Sequence, residues 1–193
     1  LLDHCIELIT NLNIKRILIN SFHLKEQIYE FVKNHKYNIE IKVIEDGDNI
    51  LDTGGGILNL IQKSDDQDFL VFNPDTVWNK NYINEINKMI NLYFTLNLKN
   101  ILLLASKDLS FDKKLTGDFD LENHSIYLKK KNYIYTGCQI LNRSILNNEK
   151  VINFSINKIW FNLIESKNLS GFKSEHQFYH VTDLDTFKKL QDL

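Results

Sequence analysis

Proline occurs once in the 193 residues, methionine once and arginine twice, and there are only 7 glycines. No linker, internal repeat or low-complexity segment interrupts the chain. The two cysteines, Cys5 and Cys138, are far apart and form no CxxC pair, so they read as buried thiols in a reducing compartment. No apolar run approaches the roughly 18 residues that span a bilayer, and no signal-peptide pattern opens the chain. A net charge of −2 gives no general pull toward nucleic acid or acidic membrane. The sequons at Asn142 and Asn153 carry no weight without a secretion signal. What remains is a chain of globular composition, 43% hydrophobic and 25% charged. It is expected to be one cytoplasmic α/β domain over 1–193, and the non-methionine start at Leu1 marks it as other than a nascent terminus.

The first half alternates between two periodicities. Helical spacing covers 2–12, 24–33, 55–63 and 82–94, with Ser21 expected to cap the second helix. Short apolar or alternating runs at 16–20, 39–45, 69–73 and 101–105 read as strands. Such alternation predicts βαβ units and a largely parallel sheet covered on both faces. The second half has closely spaced strands at 118–121, 125–129 and 133–141, with Asn123-His124 as a turn. A helix at 155–165, strands at 169–173 and 178–181 and a helix at 183–190 follow, so this half is antiparallel or mixed.

The rare residues fall at strand ends. Gly54, Gly55 and Gly56 follow the strand ending at Glu45 and open a helix. Pro74-Asp75 directly follows the strand 69–73. In open α/β sheets ligands bind at that edge. Glycines admit a ligand close to the backbone, and a helix N-terminus offers free N–H groups. The same Asp52-Thr53-Gly54-Gly55-Gly56 run also reads as a flexible turn with Asp52 or Thr53 capping the helix. It is neither a P-loop nor GxGxxG. Asp75 is either an Asp bonding its own turn or a hard carboxylate ligand for Mg²⁺. Asp118 and Asp120 form a DxD pattern, which is a solvated pair or the metal motif of a glycosyltransferase. His180 is a structural residue, a second metal ligand or a phosphate donor.

Four segments taken together resemble one family. They are Glu45 with Leu51 to Ile57, Val71-Phe72-Asn73-Pro74-Asp75-Thr76-Val77-Trp78, Gly117-Asp118-Phe119, and Tyr135-Thr136-Gly137-Cys138-Gln139-Ile140-Leu141. Ser155 to Trp160 and Tyr179-His180-Val181 fit the same pattern. The set resembles bacterial sugar-1-phosphate nucleotidyltransferases, in the branch of N-acetylmuramate-1-phosphate uridylyltransferases and mannose-1-phosphate guanylyltransferases. The resemblance implies a three-layer Rossmann-like nucleotidyltransferase domain with a mixed, mostly parallel central sheet. It implies joining of a nucleoside triphosphate, UTP or GTP, to a sugar 1-phosphate, with release of pyrophosphate and Mg²⁺ as cofactor.

The same resemblance assigns roles. Thr53, Gly54, Gly55, Gly56 and Asn73 fall in the nucleotide-binding part. Asp75 is the catalytic metal ligand, with His180 where many relatives hold a second metal-binding Asp. Gly117, Asp118, Thr136 and Gly137 face the sugar and its phosphate. Two departures are visible. The family's GxGTRxxP loop and following PK segment, which grip the triphosphate, are not among these residues, so the first strand and phosphate loop are expected to be absent. Val181-Thr182-Asp183-Leu184 stands where relatives read V-G-T-P. The departures imply a chain inactive without that loop, or alternatively a non-catalytic remnant serving as a binding or interaction module. Loss of a central strand also predicts a homodimer through the exposed sheet edge.

Overall fold

The computed structural model describes residues 1–191. In chain order the elements are α1 (Leu2–Thr10), β1 (Arg16–Ser21), α2 (Lys25–Asn34), β2 (Glu40–Glu45), α3 (Asp52–Ile61), β3 (Asp68–Phe72), α4 (Tyr82–Thr95) and β4 (Asn100–Ser106). Then come β5 (Asp120–Glu122), β6 (Ser125–Tyr127), β7 (Tyr133–Asn142), α5 (Asn157–Glu165), β8 (Ser170–Ser174) and α6 (Leu184–Gln191).

The strand β4 shows why three layers form. Its residues Ile101 to Ala105 are all fully buried, and successive side chains point to opposite faces. Ile101 and Leu103 join α1 and α4 through Ile6, Ile9, Ile86 and Met89. Leu102 and Leu104 join α3 and α5 through Leu58, Ile61, Ile159 and Trp160. A strand apolar on both faces needs helices on both sides, and it has them.

The sheet order is β3-β7-β4-β8-β6-β5, with β1 and β2 forming a separate parallel pair. β4 pairs with β8 in parallel, while β7 runs antiparallel to both β3 and β4. The architecture is therefore α/β with a mixed sheet, as expected. The strands β3 and β4 do not neighbour each other, because β7 lies between them. Its ten residues carry two ladders at once, a long-range pairing that local periodicity does not encode. β1 pairs only with β2, and β3 only with β7, so each keeps one unpaired edge among the described residues.

Smaller corrections have local causes. Ser21 belongs to β1 and caps nothing; α2 opens at Leu24 in the left-handed region, with no side-chain cap. Residues 178–181 form isolated bridges, Ser110 with Phe178 and Thr76 with His180, rather than a strand. Asn123 and His124 do form the β5–β6 turn, both at positive φ. No helix among the described residues is long and apolar enough to cross a membrane.

Candidate active site

The site is built around a bulge in β7. Leu102 pairs with Gln139 and Leu104 with Tyr135, so β7 holds extra residues at 136–138 opposite Leu103. Thr136 is buried and its hydroxyl donates to the Leu103 carbonyl at 2.9 Å, which pins the bulge. Gly137 follows at φ +90, and a Cβ there would come within 2.9 Å of the Asn73 Cβ. Bulges of this kind re-aim a strand beside functional loops.

The re-aimed strand grips the loop after β3. Asn73 N–H donates to the Gly137 carbonyl at 2.7 Å, and the Thr76 hydroxyl to the Thr136 carbonyl at 2.6 Å. Trp78 Nε1 donates to the Asn73 carbonyl at 2.9 Å. From the other side, Val181 N–H donates to the Asp75 carbonyl and Val77 N–H to the Tyr179 carbonyl. Asp75 thus sits on a loop fixed at both flanks.

Its side chain is differently placed. Asp75 Oδ1 is buried and accepts no hydrogen bond. His180 Nδ1 lies 3.8 Å from it and 3.4 Å from the Thr76 hydroxyl. A buried carboxylate oxygen without a donor is costly, and it fits a cation brought by a ligand. Among the described residues no three His, Cys, Asp or Glu side chains gather to hold a metal alone. A magnesium ion suits such a set, since it takes one or two carboxylates and fills its shell with water and phosphate oxygens.

The remaining candidates divide. Asp118 accepts the Tyr135 N–H at 2.9 Å, one residue before Thr136. Desolvation pushes its carboxyl above the ordinary value, opposed by that N–H and by Lys131 and His180, which are close enough to act on it. Asp120 is corrected: it is buried, not solvated, and its carboxylate takes the N–H groups of Lys129, Lys130, Lys131 and Asn132 and the Asn132 amide. With its oxygens so occupied, the DxD pair has no second carboxylate to offer a metal.

The glycine run is a helix turn, not a loop. α3 starts at Asp52, and Gly54, Gly55 and Gly56 are buried within it. The close neighbour they admit is the chain itself. Gly54 and Gly55 N–H groups donate to the Phe154 carbonyl at 2.9 and 3.2 Å, and the Thr53 hydroxyl accepts the Ile156 N–H at 3.0 Å. Neither Asp52 nor Thr53 is the helix cap, which is Leu51 without a side-chain bond.

One feature of this region was missed in the sequence. A cavity of about 740 Å³ lies off the C-terminal ends of β1 and β2, lined by Phe22, Asp46, Leu51 and Asn153 among others. Asn20 and Asn59 amides hold the two Asp46 carboxylate oxygens at 2.9 and 3.0 Å. The signal was an Asp directly after a parallel strand.

The fold has close counterparts of known structure. HddC from Yersinia pseudotuberculosis complexed with GMP-PN matches at TM-score 0.75 and 19% identity, covering 95% of this chain and 80% of that one. The inositol-1-phosphate CTP transferase from T. maritima matches at 0.75 and 12%, covering 95% and 77%. A putative glucose-1-phosphate thymidylyltransferase from Bacillus anthracis matches at 0.77 and 12%, covering 98% and 80%. The fold is that of the nucleotidyltransferases. No protein-family model and no curated protein sequence matches the chain. Within the nucleotidyltransferase fold, the departure at Val181 to Leu184 has a local explanation: Asp183 Oδ1 accepts the Thr186 N–H at 2.7 Å and caps α6.

Proposed function

We propose that the chain is a sugar-1-phosphate nucleotidyltransferase domain, with Asp75 and His180 at its reaction centre. The observation that carries this is the unpartnered, buried Asp75 Oδ1 facing His180 on a loop fixed from both sides. In the reaction a sugar-phosphate oxygen attacks the α-phosphorus of a nucleoside triphosphate. The bond to the β-phosphate oxygen breaks, and pyrophosphate leaves with its electron pair. Positioning two anions and offsetting their repulsion is most of the work.

Asp75 would hold Mg²⁺ with His180 beside it, and the ion would supply positive charge between the phosphates. Thr76, Thr136, Gly137 and Asn73 fix the loop that carries that carboxylate. Gly117 and Asp118 line the sugar side. Thr53 and Gly54 to Gly56, at the start of α3, border the nucleotide side next to the 740 Å³ cavity. UTP with N-acetylmuramate 1-phosphate is the first pair to test. GTP with mannose 1-phosphate is the second, in keeping with the GMP-PN bound to one fold relative.

The test is calorimetry of the chain with UDP-N-acetylmuramate and GDP-mannose, in Mg²⁺ and in EDTA. Magnesium-dependent binding of one of them, lost in Asp75→Ala, is expected. If neither binds, and a chain carrying a GxGTRxxP segment ahead of Leu1 releases no pyrophosphate, the reading fails.

The unpaired edges of β1 and β3 favour a second reading, a module that associates through a sheet edge. It predicts a homodimer in analytical ultracentrifugation, and a monomer at high micromolar concentration removes it.

A further inference from the structure

The start of α4 carries a buried acid that the proposed reaction does not use. The helix buries Tyr82, Glu85, Ile86, Met89 and Tyr93, and Glu85 is the only charged residue among them. An apolar side chain is the ordinary filling of such a position, because a buried carboxylate needs dedicated donors to offset its lost water. Glu85 has them. Its Oε2 accepts the Ser174 hydroxyl at 2.7 Å and its Oε1 the Glu175 N–H at 2.8 Å. Ser174 is fully buried, and its Oγ accepts the His176 N–H at 3.2 Å. Hydrogen bonds to an ionised acceptor are about twice as strong as neutral ones.

These bonds hold the start of the segment that carries His180. Ser174 ends β8, and from there to His180 the chain joins no strand, only the isolated bridges at Phe178 and His180. Two neighbours of Glu85 grip the same stretch. The Tyr82 hydroxyl donates to the Gln177 carbonyl at 3.1 Å, and His176 Nε2 donates to the carbonyl of Asn81, the residue before α4, at 2.9 Å. Further along, Phe178 N–H donates to the Leu109 carbonyl at 2.8 Å and Val77 N–H to the Tyr179 carbonyl at 2.9 Å. The segment then delivers His180 Nδ1 to 3.4 Å from the Thr76 hydroxyl and 3.8 Å from Asp75 Oδ1.

The Asp75 loop runs into the same helix. Trp78, whose indole is bonded to the Asn73 carbonyl, precedes α4 directly in the chain apart from the turn 79–81. Asp75 is therefore tied to the start of α4 through the chain, and His180 through Glu85, Tyr82 and Asn81.

We propose that Glu85 is a positioning residue for the Asp75–His180 pair: its carboxylate fastens the segment 174–181 to α4 and so sets where His180 stands. This rests on the reading of the Asp75 centre given above.

The test is calorimetry of the 193-residue chain with UDP-N-acetylmuramate and GDP-mannose in Mg²⁺, with amide hydrogen exchange of the same proteins without ligand. Glu85→Ala is expected to weaken binding tenfold or more and to speed exchange over 175–182 tenfold or more, with β4 unchanged. Glu85→Gln can keep both bonds, since its carbonyl still accepts the Glu175 N–H and its amide can donate to the Ser174 oxygen. It should bind within threefold of the parent. Ser174→Ala, which leaves α4 intact, should weaken binding threefold or more, and it keeps the test open should Glu85→Ala fail to fold. Tyr93→Phe removes the 2.6 Å bond to Asp68 at the other end of α4 and should leave binding unchanged. Binding within threefold of the parent in both Glu85→Ala and Ser174→Ala overturns the proposal and leaves the Asp75 reading standing. A loss that Glu85→Gln or Tyr93→Phe shares in full, or exchange that speeds throughout the chain, also overturns it. A parent chain that binds neither probe overturns it too, and leaves the Asp75 reading to the pyrophosphate-release test above.

Discussion

His180 Nδ1 stands 3.8 Å from Asp75 Oδ1 because the bridge between Thr76 and His180 brings two distant loops side by side. The carboxylate oxygen in that gap is buried and unbonded. The side chain as a whole is half-exposed, so that oxygen is left free for a cation without the charge being buried. We expect Asp75→Asn to change the melting temperature in EDTA by no more than a few degrees. The same substitution should remove the rise that Mg²⁺ with a sugar nucleotide gives the parent chain. Scanning calorimetry with and without ligand separates the two effects. An identical ligand-induced rise in both proteins would show that Asp75 meets no metal.

The buried glycines of α3 give a stability prediction independent of any ligand. A Cβ on Gly55 would lie 2.1 Å from the Ile152 carbonyl oxygen, which is backbone and has little room to move. Gly55→Ala should lose about 3 kcal/mol through overpacking. At Gly47, φ is +86 and nothing lies within 4 Å of an added Cβ. Gly47→Ala should lose only about 1 kcal/mol, from backbone strain alone. Urea unfolding of the two variants gives the ranking directly.

The loop that carries Asp75 was legible because one proline and one acid fall at the end of an apolar strand, and the strand ends there in the structure. The helix α4 and the strand β4 were legible because their periodicities are long and unbroken. The purpose of the glycine run was not, since its neighbours Ile152 and Phe154 are distant in the chain. β7 could be recognised as a strand, but its place between β3 and β4 depends on pairings that no local pattern carries. Asp120 was misread for a related reason: its five donors come from a turn whose path closes only in three dimensions.

Asp120 sets an acid response. Burial alone would push its carboxyl up, but the N–H groups of Lys131, Lys130, Asn132 and Lys129 outweigh this and leave it below the ordinary value. A carboxyl with a lowered folded value stabilises the protein above its unfolded value of about 3.9. That contribution is lost as pH falls through the folded value. Urea unfolding of the parent chain should therefore show stability declining below about pH 4. In Asp120→Asn that part of the decline should be absent, and stability at pH 7 should be lower by about 2 kcal/mol. Parallel acid profiles for the two proteins would refute the assignment.

Gln139 directly follows the bulge and holds a buried polar junction beneath it. Its Oε1 accepts Asn100 Nδ2 at 3.1 Å and Trp160 Nε1 at 3.2 Å, and all three residues are buried. Trp160 also packs edge-on against Tyr135, with ring centroids 4.8 Å apart, directly before Thr136. Asn100 Nδ2 has a second acceptor in the Ile140 carbonyl, whereas the indole N–H has Gln139 alone. Gln139→Leu strands that N–H in the apolar layer and should cost about 3 kcal/mol. Trp160→Phe removes the stranded donor, so the two substitutions together should lose less than their separate losses summed, by about 1 kcal/mol. A double-mutant cycle in urea measures this coupling, and additive losses would mean that the junction does not support the bulge through the indole.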